Sequence, residues 1–225
     1  MLPLSLDTNK SIMQSCCTKL TCIGCFYASI KYGVQKEIVG KRTCPFCRQP
    51  EPKTKEEIER YKMKRRKVND PVAILEAGKR SYHQGDHENA LDYFKKAAEL
   101  GDVEAHYCLS FMYRDGNGVD KVMAKRLQLK HLEEAAIGGH PRARHNLGVY
   151  EMNRERIERA VKHFTIATNN GHDDSVKALG ELRAAGHVSK EDYELALRAY
   201  QAAVDSSNSP QREEALAAMK SLARS

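Results

Sequence analysis

Phe94-Lys-Lys-Ala97-Ala98-Glu-Leu-Gly101 decides the fold, because it comes back. It recurs as Leu132-x2-Ala135-Ala136-x2-Gly139 and as Phe164-x2-Ala167-Thr168-x2-Gly171, with a weaker copy at Tyr200-x2-Ala203-Val204. Four residues past each Gly stands a small residue, Ala105, Ala143 or Ser175, preceded by Ala73. Five further on come Gly78, Ser110, Gly148 and Gly180. Successive copies are offset by 32, 38, 32 and about 36 residues. A period of this size marks a helical solenoid of stacked helix pairs.

Each unit can be read physically. Asp70-Pro71 and His140-Pro141 put Pro at a first helical position, where its missing N–H is no loss. Gly101, Gly139 and Gly171 fall where a helix ends in the left-handed conformation. Between these marks lie an A helix, carrying the small residues, and a B helix, carrying aromatic-x2-Ala-Ala. Small residues let the paired helices approach, and Phe94, Leu132, Phe164 and Tyr200 are expected to fill the layer between them. One unit cannot bury that face alone, so stability comes from stacking.

These residues resemble the Sel-one-like repeat family, a relative of the tetratricopeptide repeats. The resemblance implies a mostly α, right-handed α-α solenoid over residues 71–206, with about four units and a protein partner on the array. Gly116-Asn117-Gly118-Val119 matches that family's hairpin between A and B helices. Residues 207–225 read as one more helix, with Ala215, Leu216, Met219 and Leu222 on a common face, expected to cover the end of the array.

Upstream of the array the chemistry changes. Six of the seven cysteines fall within 32 residues, as Cys16-Cys17-Thr-Lys-Leu-Thr-Cys22-Ile-Gly-Cys25 and Cys44-Pro45-Phe46-Cys47-Arg48. C-x2-C-x18-C-x2-C is a zinc spacing, because a tight turn lets two sulfurs reach one tetrahedral ion. No His occurs before His83, so thiolates are the soft ligands available here. One ligand set is Cys22, Cys25, Cys44 and Cys47, as in a zinc ribbon.

Another set follows from resemblance. Residues 1–50 resemble the later part of an all-cysteine RING finger, with Cys44-Pro45-Phe46-Cys47 as its last knuckle. In that family's cross-brace the second and fourth ligand pairs share one zinc ion. This implies one site of Cys16, Cys17, Cys44 and Cys47, with Cys22 and Cys25 as half of another. The partners of that half-site are expected just upstream of Met1, or have been lost. The family's ligases position a conjugating enzyme's thioester and have no nucleophile of their own. Pro45 and Arg48 stand where those ligases contact the conjugating enzyme. An Arg beside a zinc knuckle is equally a solvated surface residue, and the family's apolar contact in the first knuckle is absent with that knuckle.

Residues 51–70 read as a charged helical linker, opened by the capping box of Thr54 and Glu57. Lys62-Met-Lys64-Arg65-Arg66-Lys67 resembles a nuclear-localisation or phosphate-contacting cluster, and a solvated helix reads it as well.

Charge separates the two parts. Residues 1–70 hold 15 Lys+Arg against 7 Asp+Glu, and residues 71–225 hold 22 against 23. A near-neutral array disfavours RNA binding by helical repeats, which needs a basic surface. No apolar run reaches the eighteen or so residues of a membrane span, and no signal peptide is visible at the start. Clustered thiols then point to the cytosol or nucleus and to metal rather than disulfides. The nine histidines, all in the array, and Cys108 read as structural residues. The sequence therefore describes a zinc-binding adaptor for protein–protein interaction. The RING resemblance adds ubiquitin-ligase activity, and a non-enzymatic scaffold with a degenerate zinc module is the alternative.

Overall fold

The structure, a computed structural model, describes residues 11–22, 24–27, 43, 44, 46–115, 121–207, 210, 213–215, 217 and 218. The chain divides into two compact units, Met1–Ala73 with Asp205–Ser225, and Ile74–Val204.

In the first unit, β1 (Ser11–Met13) pairs antiparallel with β2 (Leu20–Cys22), Ser11 opposite Cys22. Thr43 and Pro50 form an isolated antiparallel bridge. Helix α1 (Lys55–Lys67) starts where the capping box predicts: Thr54 Oγ1 accepts the Glu57 N–H at 3.2 Å. The Glu57 carboxylate reaches one residue further back than the motif's usual target and accepts the Lys53 N–H at 2.7 Å. Four basic residues, Lys64, Arg65, Arg66 and Lys67, fill the last turn, where the helix dipole favours them. No residue of α1 is buried. Residues 213–215, 217 and 218 are helical and Ala215 is buried, whereas Leu216, Met219 and Leu222 of the expected apolar face lie outside the described residues.

The repeats follow as α2 (Pro71–His83), α3 (His87–Glu99), α4 (Val103–Arg114), α5 (Lys121–Ile137), α6 (Pro141–Met152), α7 (Ile157–Asn169), α8 (Asp173–Ala184) and α9 (Lys190–Ser207). From α3 to α8, each helix packs on its successor. This is a helical-repeat solenoid, with even-numbered helices in the A position and odd-numbered ones in the B position. The Gly116-Asn117-Gly118-Val119 hairpin lies outside the described residues.

The recurring motif works at both of its ends. Gly101, Gly139 and Gly171 have φ of +85°, +87° and +79°, where a Cβ would be strained. That left-handed turn carries the next N–H back to the motif's first Ala. Asp102 N–H donates to Ala97 O at 3.0 Å, His140 to Ala135 at 3.0 Å and His172 to Ala167 at 3.1 Å. This is the Schellman closure. The same residue then opens the next A helix: Asp102 Oδ1 accepts from Ala105 N–H at 2.8 Å, and His140 Nδ1 from Ala143 N–H at 3.2 Å. His172 differs, since its Nδ1 meets Ser175 Oγ at 3.1 Å instead.

Ala90, Ala97, Ala105, Ala135, Ala136, Ala143, Ala160 and Ala167 are completely buried, with Phe94, Leu132 and Phe164 packed among them. A Cβ on Gly78 would lie 2.7 Å from Phe94 Cε1, and one on Gly148 2.6 Å from Phe164 Cε1. Those glycines are therefore the sockets for the B-helix rings. The fourth unit departs from expectation. Tyr193, not Tyr200, faces Gly180, while Tyr200 is half-buried and donates its hydroxyl to Asp173 at 2.8 Å. Among the described residues no helix is long and apolar enough to cross a membrane.

Candidate metal centre

Two small hairpins build this site. In the first, β1 and β2 are joined by a turn in which Cys17 N–H and Thr18 N–H both donate to Gln14 O, at 3.3 and 2.7 Å. Cys16 and Cys17 sit in that turn. In the second, Cys44 N–H donates to Gln49 O at 2.8 Å and Arg48 N–H to Cys44 O at 2.9 Å, curling Cys44 and Cys47 onto one side. The residue after each cysteine pair is left-handed: Thr18 has φ +56° and Arg48 φ +58°. A single residue in that region reverses the chain immediately beyond the sulfurs.

The two turns face each other. Cys16 Sγ lies 3.3 Å from Cys47 Sγ, and Cys17 Sγ 3.7 Å from Cys44 Sγ. All four sulfurs lie within 4.8 Å of one another. A zinc ion with four thiolates at about 2.3 Å places its sulfurs about 3.8 Å apart, the edge of the tetrahedron. The sulfur spacing therefore fits a tetrahedral ion without rearrangement of the backbone.

Electrostatics carry the same message. Burial raises the Cys16 thiol's pKa, and hydrogen bonding to Cys47 and Cys44 adds to that. Burial also raises Cys17, against the pull of the Lys19 N–H. Cys44 is lowered: its burial is outweighed by N–H donation from Cys47 and Phe46 and by the thiols of Cys16 and Cys17. Four neighbouring sulfurs cannot all ionise on their own, and a cation among them would reverse the balance. These residues can hold a metal ion.

Cys25 N–H donates to Cys22 Sγ at 3.1 Å, but among the described residues neither joins a metal-holding group. Among the described residues Cys44 and Cys47 come together with Cys16 and Cys17, the set that the RING resemblance implies. Spacing alone could not separate the two sets, because both need only one knuckle and a return. Arg48 is exposed beside the cluster, and Pro45 lies outside the described residues.

One residue at this site was missed from the sequence. Asp70 is buried, and its Oδ2 accepts from Thr18 Oγ1 at 2.6 Å and from Arg65 Nε at 3.0 Å. Its Oδ1 caps α2 through the N–H groups of Val72 and Ala73, both at 3.1 Å. These bonds hold its carboxyl below the usual carboxylate range despite its burial. An Asp immediately before a Pro at the first helical position was the available signal.

No protein-family model matches the chain, and no curated protein matches it. Solved structures do. A Sel1 repeat protein from Oxalobacter formigenes is 25% identical at a TM-score of 0.54, covering 68% of this chain and 65% of that one. The array has a Sel1-like repeat fold. A second Sel1-like structure, c5321, a protective antigen present in uropathogenic Escherichia coli strains, is 30% identical at a TM-score of 0.51 and covers 66% of this chain and 33% of that one. The chain thus spans less than two thirds of the length of either Sel1-like neighbour.

Proposed function

We propose that the chain is a zinc-stapled adaptor, in which the N-terminal module is closed by one zinc ion and the Sel1-like array binds a protein partner. The meeting of Cys16, Cys17, Cys44 and Cys47 within 4.8 Å carries the reading. An all-thiolate, tetrahedrally spaced donor set suits zinc among the common ions. Thiolates kept for metal suit a reducing compartment, and this supports the cytosol or nucleus as the site of action.

The array supplies the adaptor half. Stacked repeats present an extended surface rather than a closed pocket, and the titratable balance over residues 71–225 is close to neutral. On α4, Tyr107 packs edge-on against Phe111 at 4.8 Å, and Arg114 covers Phe111 at 4.3 Å. Aromatic and arginine side chains are the residue types that anchor protein interfaces.

Elemental analysis of the purified chain tests the first half: about one zinc per chain is expected, falling to near none in Cys44→Ser. Zinc content that ignores this substitution sinks the site. A photo-crosslinking residue in place of Phe111 tests the second half. Discrete protein adducts are expected, and adducts to RNA alone would overturn the adaptor.

One observation favours a second reading, a ubiquitin ligase of the RING type. The pairing of Cys16 and Cys17 with Cys44 and Cys47 is the family's second-with-fourth pairing, and Arg48 is exposed just beyond it. Discharge of ubiquitin from a panel of charged conjugating enzymes checks it, and no acceleration by the zinc-loaded chain would end it.

A further inference from the structure

Two close sulfur contacts in the cluster run from one knuckle to the other, Cys16 with Cys47 at 3.3 Å and Cys17 with Cys44 at 3.7 Å. These contacts join positions 31 and 27 residues apart. We propose that the cluster is a peroxide-responsive switch, in which oxidation forms the crossed disulfides Cys16–Cys47 and Cys17–Cys44, releases the metal and keeps the module closed. The proposal rests on the zinc reading for what is released, but the sulfur pairing stands on the geometry alone.

Pairing within a turn is less suited, and of the crossed pairs the 3.3 Å contact of Cys16 with Cys47 leaves Cys17 and Cys44 to each other. Cys16 and Cys17 are adjacent, and a disulfide between neighbours closes a ring through a planar peptide that resists the required bend. A Cys44–Cys47 bond would satisfy the second turn but leave the first hairpin untied. The crossed bonds each tie one hairpin to the other. They replace a metal staple with two covalent ones over the same span, and closing loops of this length restricts the unfolded chain. Shortening 3.3 Å to a disulfide length takes little more than about 1 Å of side-chain motion.

Access is built in, because Cys47 is exposed while Cys44 is buried. The Cys47 thiolate attacks the terminal oxygen of a hydroperoxide and breaks the O–O bond. The alkoxide leaves and takes a proton from solvent as the alcohol. Cys47 is then a sulfenic acid, oxidised by two electrons. The Cys16 thiolate attacks that sulfur and expels hydroxide, which is protonated to water, and the S–S bond is made. The same sequence, begun at the half-buried Cys17 thiolate rather than at buried Cys44, joins Cys17 to Cys44. In sum, four thiolates, two hydroperoxides and four protons give two disulfides, two alcohols and two waters. With all four thiolates in disulfides, these residues would no longer hold an ion.

The experiment uses the full chain, with zinc content measured first, and titrates it with hydrogen peroxide. A chromogenic chelator reads metal release, and non-reducing peptide mapping reads the disulfides. The expected result is Cys16–Cys47 and Cys17–Cys44 linkage within monomers, two peroxides consumed per zinc released, and recovery of zinc binding after reduction. In Cys47→Ser the Cys17–Cys44 bond alone should form. Dominant Cys44–Cys47 linkage, intermolecular bonds or conversion to sulfinic acid would overturn the switch. A chain isolated without zinc that still forms the crossed pair would refute the zinc reading and leave the pairing intact.

Discussion

Thr18 donates its hydroxyl to Asp70 at 2.6 Å, joining residues 52 positions apart. Thr18 follows Cys17 in the first cysteine turn, and Asp70 caps the first repeat helix, so one hydrogen bond ties the metal module to the start of α2. It also accounts for an awkward backbone. A β-branched residue at φ +56° costs about 1–2 kcal/mol, and the bond to a buried carboxylate offsets it.

Asp70→Ala should therefore be among the most damaging substitutions in the first unit. It removes a helix cap worth about 1 kcal/mol and leaves Thr18 and Arg65 without their shared acceptor. A loss of about 2–3 kcal/mol is expected in urea denaturation. Thr18→Val keeps the side-chain shape and loses only the hydroxyl, for about 1–2 kcal/mol. Asp70→Ala with no greater effect than Thr18→Val would show that the cap and the Arg65 pair contribute nothing.

The A-helix glycines should divide by their neighbours. Gly148→Ala puts a methyl 2.6 Å from Phe164 Cε1, and Gly78→Ala puts one 2.7 Å from Phe94 Cε1. Each should cost about 1–3 kcal/mol through overpacking. Gly180→Ala meets only Tyr193, at 3.2 Å from its hydroxyl and at ordinary contact distance from its ring, at the end of a side chain that can shift. There the helix propensity of Ala, up to about 1 kcal/mol over Gly, should leave the protein unchanged or stabilised. Thermal melts of the three variants check the order.

That contrast shows what the sequence could reveal. The phase of the repeats was legible because its cause is local: Gly at the helix end, Ala where helices touch, a ring opposite Gly. The fourth unit broke the pattern where Tyr193 took the place facing Gly180 and Tyr200 turned to Asp173, and nothing in Tyr-x2-Ala encodes that exchange. The choice among six cysteines was legible only as two alternatives, since spacing says which sulfurs share a turn but not which turns face each other. Asp70 was read through its Pro neighbour and passed over, because its partner Thr18 lies 52 residues away.

Acid should loosen the array in two steps. Burial, with His106 and the lysines Lys130 and Lys95 nearby, lowers His131 from 6.5 to about 4, and its ring stacks on Tyr113. The unfolded chain binds this proton first, so the contribution of His131 is whole above pH 6.5 and is lost as pH falls toward 4. Glu104 is lowered from 4.5 to about 2, chiefly by its hydrogen bond to His140 and then by Lys79. Its contribution is whole above 4.5 and is lost on falling to about 2. Melting temperature against pH should flatten between 6.5 and 4 in His131→Gln and below 4.5 in Glu104→Gln, relative to the parent. Parallel curves for parent and variants would refute both assignments.

Arg48 is where scaffold and ligase make opposite demands. It is exposed at φ +58°, a conformation that costs a non-glycine residue about 1–2 kcal/mol and costs glycine nothing comparable. If the module serves only as a fold, Arg48→Gly relieves that strain and should stabilise the first unit by about 1 kcal/mol, with zinc content and partner crosslinking unchanged. If Arg48 holds a conjugating enzyme's ubiquitin, both Arg48→Gly and Arg48→Ala should abolish the acceleration of ubiquitin discharge while zinc stays bound. Ala keeps the left-handed strain that Gly removes, so the pair of variants separates backbone from side chain. Equal discharge by the parent and both variants leaves the scaffold. Loss in both, with zinc retained, establishes the side chain as the contact.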